Sequence, residues 1–171
     1  MAVIRPACVE DAGRCAQIYA PFVENSWVSF ETEAPDASEI ARRIAIARQT
    51  HDWLVAEQDG GIAGYAYGSS HRERRAYRQS CDVTVYVDPA CARSGIGSAL
   101  YAALFESLAK SGKHAVFAGV ALPNAASLAL HKALGFTSVG VYHEVGWKMG
   151  AWRDVQWLEK LLCAAQIYEA N

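Results

Sequence analysis

The feature that most constrains the fold of this chain is a predicted strand that leads through a short turn into a helix. Residues 81–87 alternate in polarity, as expected of a strand with one face in a core and one face accessible. The apolar face is Val83, Val85 and Val87, and the other face is Asp82, Thr84 and Tyr86. The turn carries Gly95 and Gly97 at the start of a helix predicted over about 94–111. Because the first N–H groups of a helix lack internal partners, such a turn can bind phosphate groups.

The glycine turn could also have a purely structural role. Glycines before a helix serve capping or tight packing as well, and on its own the turn favours neither role. A Walker-type loop would require Gly-Lys-Ser or Gly-Lys-Thr, which the turn lacks. A Rossmann fingerprint would require a third glycine and a downstream acidic residue. Both of these nucleotide-binding loops therefore fit less well.

The rest of the chain alternates between predicted strands and helices. Asp36, with Glu39 three residues later, matches a capping box, and Asp59-Gly60-Gly61 fits a tight hairpin. Further strands are predicted at 2–4, 53–57, 62–69, 114–121, 138–142 and 155–162, and further helices at 10–25, 36–49 and 124–134. This succession predicts one α/β domain over residues 1–171, with a central mixed, mostly antiparallel sheet flanked by helices on both faces.

Composition excludes several classes of protein. With 52% apolar residues and a net charge of −2, the chain has the profile of a folded domain without affinity for nucleic acid. The one basic cluster, at 72–78, is either a solvated loop or a site for an anionic substrate group. Five scattered cysteines without a C-x-x-C pair predict reduced thiols and no metal site. Without an apolar run of ~18 residues or a signal sequence, we expect a cytoplasmic protein that does not enter membranes.

A second polar stripe is predicted on the helix at 124–134. At ~100° per residue, Asn124, Ser127 and His131 fall on one face of that helix. Asn124 could simply cap the helix and His131 could lie on a solvated face. The pattern alone leaves these structural roles and a functional site equally open.

Together, the 93–97 turn and the segment 122–136 resemble the GNAT superfamily of N-acetyltransferases. The family signature is Gln or Arg, two residues, Gly, one residue, and Gly or Ala. This chain departs from it only at Ala92. The resemblance implies that acetyl-CoA is the acetyl donor and that His131 lies near the leaving sulfur. The residues implied to contact the donor are Val85, Tyr86, Val87, Arg93, Ser94, Gly95, Ile96, Gly97, Ser98, Asn124 and Ser127.

The resemblance narrows to the phosphinothricin and methionine sulfoximine N-acetyltransferases. It extends over almost the whole chain, at residues 4–7, 25–33, 53–57, 74–77, 84–87, 130–136 and 146–155. It implies a small-molecule amine acceptor, such as an amino acid, and a homodimer. Whether the purpose is detoxification, as in herbicide resistance, or ordinary metabolism stays open.

The reaction needs a proton acceptor, because an amine attacks a thioester only in its neutral form. Asp82 is the expected base, provided that burial or a like charge raises its pKa, and an ion pair with an arginine is the alternative role. His131 could instead accept that proton or protonate the leaving sulfur. A strand N–H near residues 85–87 could stabilise the oxyanion. The expected acceptor contacts are Phe30, Glu31, Arg72, Arg74 and Tyr77.

Two rival functions remain. An N-acetyltransferase for a peptide or protein N-terminus would need an open groove in place of a closed pocket. A catalytically idle acyl-CoA-binding module would keep Gly95, Gly97 and Asn124 but would have no need of Asp82 and His131.

Overall fold

A seven-stranded sheet in the order β1-β2-β3-β4-β5-β7-β6 forms the centre of the molecule, in a computed structural model that describes residues 2–162. The strands are β1 (Val3–Pro6), β2 (Trp53–Gln58), β3 (Gly61–Ser70), β4 (Ser80–Val87), β5 (Ala115–Ala121), β6 (Thr137–Lys148) and β7 (Ala151–Leu161). The helices are α1 (Ala12–Glu24), α2 (Ala37–Thr50), α3 (Ile96–Lys110) and α4 (Ala125–Ala133). Among the described strands only the β4–β5 pair is parallel, so the predicted mixed, mostly antiparallel sheet is confirmed.

Helices cover both faces of this sheet, as predicted. Helices α1 and α2 bury Ile18, Ile40 and Ile44 with Trp53 and Tyr65 in one apolar cluster. On the other face α3 buries a second apolar cluster. Leu128 and Leu130 of α4, and Leu134 just after this helix, pack against that cluster. Burying apolar stripes of helices against a two-faced sheet is the main source of stability in such a fold.

The two central strands separate partway along their length. β4 pairs with β5 only at Ser80–Asp82, where Asp82 lies opposite Phe117. Beyond that point β4 continues to pair with β3 up to Val87, while β5 continues with β7 up to Ala121. The separation opens the sheet immediately after Asp82 and leaves one edge of residues 83–87 without a strand partner in the described chain.

Several predicted boundaries were wrong. The strands at 138–142 and 155–162 are parts of a longer hairpin, which closes through Met149 and Gly150, both with positive φ (54° and 73°). The helix predicted from residue 10 begins with a 3₁₀ turn at Val9–Asp11. Asp36 does accept from the N–H of Glu39 at 2.8 Å, but the Glu39 carboxylate binds Arg42 and Arg43, so only half of the capping box forms.

The described cysteines are free thiols, namely Cys8, Cys15, Cys81 and Cys91; Cys163 lies outside the described residues. Burial raises the pKa of the Cys15 and Cys81 thiols to about 12, which makes them inert. Within residues 2–162 there is no cluster of side chains suited to a metal ion, and no helix there is long and apolar enough to cross a membrane.

Candidate active site

A cleft of about 420 Å³ lies between the end of β4, the start of α3 and the start of α4. Every residue that the sequence predicts to contact the donor lines this cleft. Arg93 and Gly95 adopt positive φ values of 61° and 81°, and Gly95 is the N-cap of the 15-residue α3. The turn therefore directs the free N–H groups of a long helix towards the cleft, as a site for phosphate groups requires.

Asn124 caps the helix that it precedes. Its side-chain oxygen accepts from the N–H of Ser127 at 3.1 Å and thereby begins α4. Its amide nitrogen has no hydrogen-bond partner within residues 2–162, and the residue also lines the cleft. Capping and ligand contact are thus compatible at this position.

A second cavity, of about 710 Å³, lies on the other side of the opened sheet. Phe30, Glu31, Arg72 and Asp82 line it, together with aromatic residues that the sequence pattern did not single out for the acceptor, Tyr19, Tyr86, Tyr142 and Trp157 among them. Arg74 and Tyr77 are not among its lining residues. They belong to an exposed segment around a 3₁₀ turn at Arg75–Tyr77, and their contact with an acceptor stays a prediction.

A narrow space of about 70 Å³ connects the cleft and the cavity. Val28 and Tyr86 border all three spaces, and Asn124 and Ser127 belong to the connecting space as well as to the cleft. His131 and Tyr101 form its inner wall. A group bound in the cleft can therefore lie next to a group bound in the cavity.

Asp82 faces the cavity with its side chain 28% exposed. Burial raises the pKa of its carboxyl group, and His71 partly offsets this effect through a hydrogen bond of 2.6 Å from Nδ1 to Oδ1. The partner of Asp82 is thus a histidine, and the arginine of the alternative ion-pair role does not contact it. Sequence reasoning missed His71, and its only local signal is its position just before the basic cluster.

His131 is buried, with 3% of its surface exposed, so the alternative of a solvated face was wrong. Its Nδ1–H donates to the carbonyl oxygen of Ser127 at 2.7 Å, and its Nε2 lies 3.2 Å from the Tyr101 hydroxyl. Burial lowers the pKa of the imidazole, which is therefore neutral at pH 7. With both ring nitrogens occupied, His131 is less free to take a proton than Asp82.

Polar and charged side chains hold the segment that carries Phe30 and Glu31 in place. Arg43 donates to both oxygens of Glu31 at 2.6 and 3.0 Å, and Tyr19 donates to the same carboxylate at 2.9 Å. The buried Lys148 ammonium donates to three backbone oxygens, those of Val23, Ser29 and Glu31, at 2.6–2.7 Å. The charge of Glu31 is thus already paired with that of Arg43. Its contacts indicate that Glu31 holds the segment that carries Phe30 in place.

Comparison with known proteins identifies relatives over almost the whole chain. Residues 4–157 match the acetyltransferase (GNAT) domain family. A phosphinothricin N-acetyltransferase of Streptomyces viridochromogenes is 38% identical, over 89% of this chain and 83% of the relative. An L-methionine sulfoximine/L-methionine sulfone acetyltransferase of Pseudomonas paraeruginosa is 34% identical, over 92% of this chain and 93% of the relative.

Solved structures agree with these sequence relatives. A GNAT superfamily phosphinothricin acetyltransferase from Sinorhizobium meliloti in complex with AcCoA superimposes with a TM-score of 0.90 at 31% identity, over 94% of this chain and 88% of that one. A ribosomal-protein-alanine N-acetyltransferase from Brucella melitensis also has a TM-score of 0.90, at 33% identity, over 94% of this chain and 99% of that one. The predicted GNAT fold is confirmed, and the chain belongs to the GNAT family of acetyltransferases.

Proposed function

We propose that this protein transfers the acetyl group of acetyl-CoA to the amine of a small amino-acid-like acceptor, such as phosphinothricin, methionine sulfoximine or a similar compound. The observation that carries the proposal is the meeting of the donor cleft and the acceptor cavity beside Asp82. Relatives named for the same reaction, over almost the full chain, support it.

The residues of the cleft fit the donor. The N–H groups at 93–98 would hold its pyrophosphate, since they combine a helix N-terminus with a glycine turn that admits close approach. Asn124 and Ser127 would contact the pantetheine arm as it enters the connecting space. Acetyl-CoA supplies the activated thioester carbonyl.

Residues of this chain accept the proton of the acceptor and stabilise the charge that develops on the thioester carbonyl. Asp82 removes a proton from the acceptor ammonium, and burial assists it by raising the pKa of its carboxyl group above the usual value. The unpaired edge of residues 83–87 offers backbone N–H groups for the developing oxyanion. His131 and Tyr101 form a neutral, hydrogen-bonded wall beside the leaving sulfur.

The acceptor cavity combines one free cation with aromatic walls. Arg72 lines it, and among the described residues its guanidinium donates only to the carbonyl oxygen of His71, at 2.8 Å. The remaining donors suit a carboxylate or phosphinate group. Phe30 and Trp157 supply apolar surface for the acceptor side chain. Arg74 and Tyr77 are proposed as outer contacts.

A peptide N-terminus is the second candidate acceptor, favoured by the name of the structural relative from Brucella melitensis. A thiol-release assay with acetyl-CoA separates the candidates. The panel comprises phosphinothricin, methionine sulfoximine, methionine sulfone, polyamines and short peptides that begin with alanine. We expect kcat/KM for a free amino acid of the panel to exceed that for every peptide. A peptide as the best acceptor would reverse the proposal, and no thiol release at all would favour an idle binding module.

We also propose that the protein is a cytoplasmic homodimer. Its apolar side chains are exposed mainly on β6 and β7, and β6 is one of the two edge strands of the sheet. An exposed apolar edge strand is a surface that soluble proteins usually cover. Four free thiols among the described residues are consistent with a reducing compartment. Resistance to a herbicide or another inhibitory amino acid is the proposed physiological purpose.

A further inference from the structure

We propose that His71 is the positioning partner of Asp82: it holds one carboxylate oxygen so that the other oxygen faces the acceptor amine, and it thereby sets the pH range of acetyl transfer. The inference rests on the proposed function and adds a residue to it. His71 is not a lining residue of the acceptor cavity, so it acts through Asp82 without touching the acceptor.

The contact between the two side chains leaves one oxygen of Asp82 free. His71 Nδ1 lies 2.6 Å from Oδ1, and Oδ2 has no hydrogen-bond partner within residues 2–162. Asp82 lines the cavity, whereas the His71 side chain lies behind it with 13% exposure. A carboxylate held at one oxygen in this way can present the other to an incoming ammonium.

Aromatic contacts fix the plane of the His71 ring. The ring stacks on Phe117 with centroids 4.3 Å apart and an interplanar angle of 21°. Trp157 and Tyr77 pack edge-on at 6.2 and 6.1 Å. Phe117 is the strand partner of Asp82, so the same register that brings β4 to β5 places the imidazole beside the carboxylate. The hydrogen bond therefore needs little further ordering of side chains.

The proton balance shows where the pair acts. Amide formation makes one C–N bond and breaks one C–S bond, and the acceptor ammonium loses two protons. One proton ends on the sulfur, and the other passes through Asp82 to solvent. His71 keeps Asp82 able to receive that proton, because a hydrogen bond to the ionised form of a carboxylate stabilises it.

The sign of the pH effect follows from the groups around Asp82. His71 and Arg72 lower the pKa of its carboxyl group, while burial raises it. The other titratable neighbours are Cys81 on β4, Tyr77 beside the ring, and Glu159, the strand partner of Phe117 on β7. Glu31 lines the cavity but is paired with Arg43. Without His71, the Asp82 carboxyl stays protonated up to a higher pH. As the pH falls, activity should therefore be lost at a higher pH than in the wild type.

Two variants and a control test this role. His71→Phe keeps a flat ring against Phe117 and removes the donor, whereas His71→Asn keeps an amide donor and removes the imidazole. His114→Asn is the matched control, since His114 is exposed and remote from the cavity. Two measurements are made on each protein, the titration of the Asp82 carboxyl by ¹³C NMR and the pH profile of kcat/KM with acetyl-CoA and phosphinothricin.

In His71→Phe, the Asp82 carboxyl and the acidic limb of kcat/KM should both move to higher pH by about one unit, which is about a tenfold loss on that limb. His71→Asn should restore part of the shift, and His114→Asn should show none. An unmoved carboxyl titration in both variants would overturn the pairing. A moved titration with an unmoved kinetic limb would overturn its role in proton transfer.

The carboxyl titration does not depend on turnover, so it decides the pairing even if the wild type acetylates no acceptor of the panel. A wild type without acetyltransferase activity would refute the proposed function. The carboxyl titration would still show whether His71 and Asp82 are paired. If His71→Phe fails to fold, His71→Asn carries both measurements.

Discussion

Asp82 and His131 are the two titratable side chains that the sequence predicts for catalysis, and they lie in opposite environments. Asp82 is partly exposed to the acceptor cavity, with a carboxyl pKa raised by burial. His131 is almost fully enclosed, with a lowered imidazole pKa and a hydrogen-bond neighbour at each ring nitrogen. The difference supports the proposal that Asp82 removes the proton and that His131 has a supporting role beside the sulfur.

The corresponding prediction concerns kcat. Asp82→Asn should lower kcat by the ~10²–10⁴ typical of a lost general base, with acetyl-CoA affinity nearly intact. His131→Ala should cost less, because both ring nitrogens of His131 already have hydrogen-bond neighbours. Asp82→Glu keeps a carboxylate and should retain activity. Steady-state kinetics on the best acceptor checks all three. A nearly inactive His131→Ala beside an active Asp82→Asn would give the role of base to His131.

At the scale of the elements, the local sequence predicts the parts whose signals are local. The strand alternation at 81–87, the glycines at 95 and 97 and the cap at Asp36 each lie within one element or its end, and the structure has them in the expected elements. The pairing of His71 with Asp82 depends on the registers of β4 with β3 and β5, which no local pattern encodes. The length of β6 was missed because a bulge between Tyr142 and Gly146 interrupts its alternation.

The start of α3 gives a prediction about the donor. Gly97→Val and Gly95→Val should abolish acetyl-CoA binding, because a side chain there would occupy the space of the pyrophosphate. Gly97 is the cleaner test: its φ is not positive, and an added Cβ would make only ordinary contacts with Leu130 and Val87. Gly13→Val is the matched control in α1, where an added Cβ meets no atom within 4 Å. Calorimetry that finds near-normal affinity in both cleft variants would refute the phosphate site.

The β6 strand gives a prediction about the acceptor. A Cβ added at Gly146 would overlap the ring of Phe30, which lines the acceptor cavity. Gly146→Ala should therefore displace Phe30 and raise the acceptor KM by about tenfold, while the KM for acetyl-CoA stays unchanged. Gly61→Ala, in open space at the start of β3, is the control. Equal changes in both KM values would indicate general damage to the fold in place of a local effect.

At the scale of the whole molecule, the surface is asymmetric. The exposed large apolar residues on β6, on β7 and in the turn between them are Val139, Val141, Tyr142, Val145, Trp147, Met149, Trp152 and Leu161. Tyr142 and Val145 also line the acceptor cavity. A partner on this face would therefore cover apolar surface and help to enclose the acceptor.

We expect equilibrium sedimentation at micromolar concentration to give twice the chain mass of 18.6 kDa. Trp147→Glu and Trp152→Glu should shift the protein to monomer, since both indoles are more than half exposed. Val9→Glu, equally exposed but remote from β6, is the control. A strictly monomeric wild type at high concentration would refute the dimer.

We propose that the cleft and the cavity form one path for acetyl transfer that ends at Asp82. A crystal structure with CoA and N-acetylphosphinothricin, the products of the proposed reaction, tests it most directly. We expect the pyrophosphate on the N–H groups of residues 93–98, the acetyl group in the connecting space and the amide nitrogen within hydrogen-bond reach of Asp82. An acetylated product bound away from Asp82, or CoA outside the cleft, would contradict it.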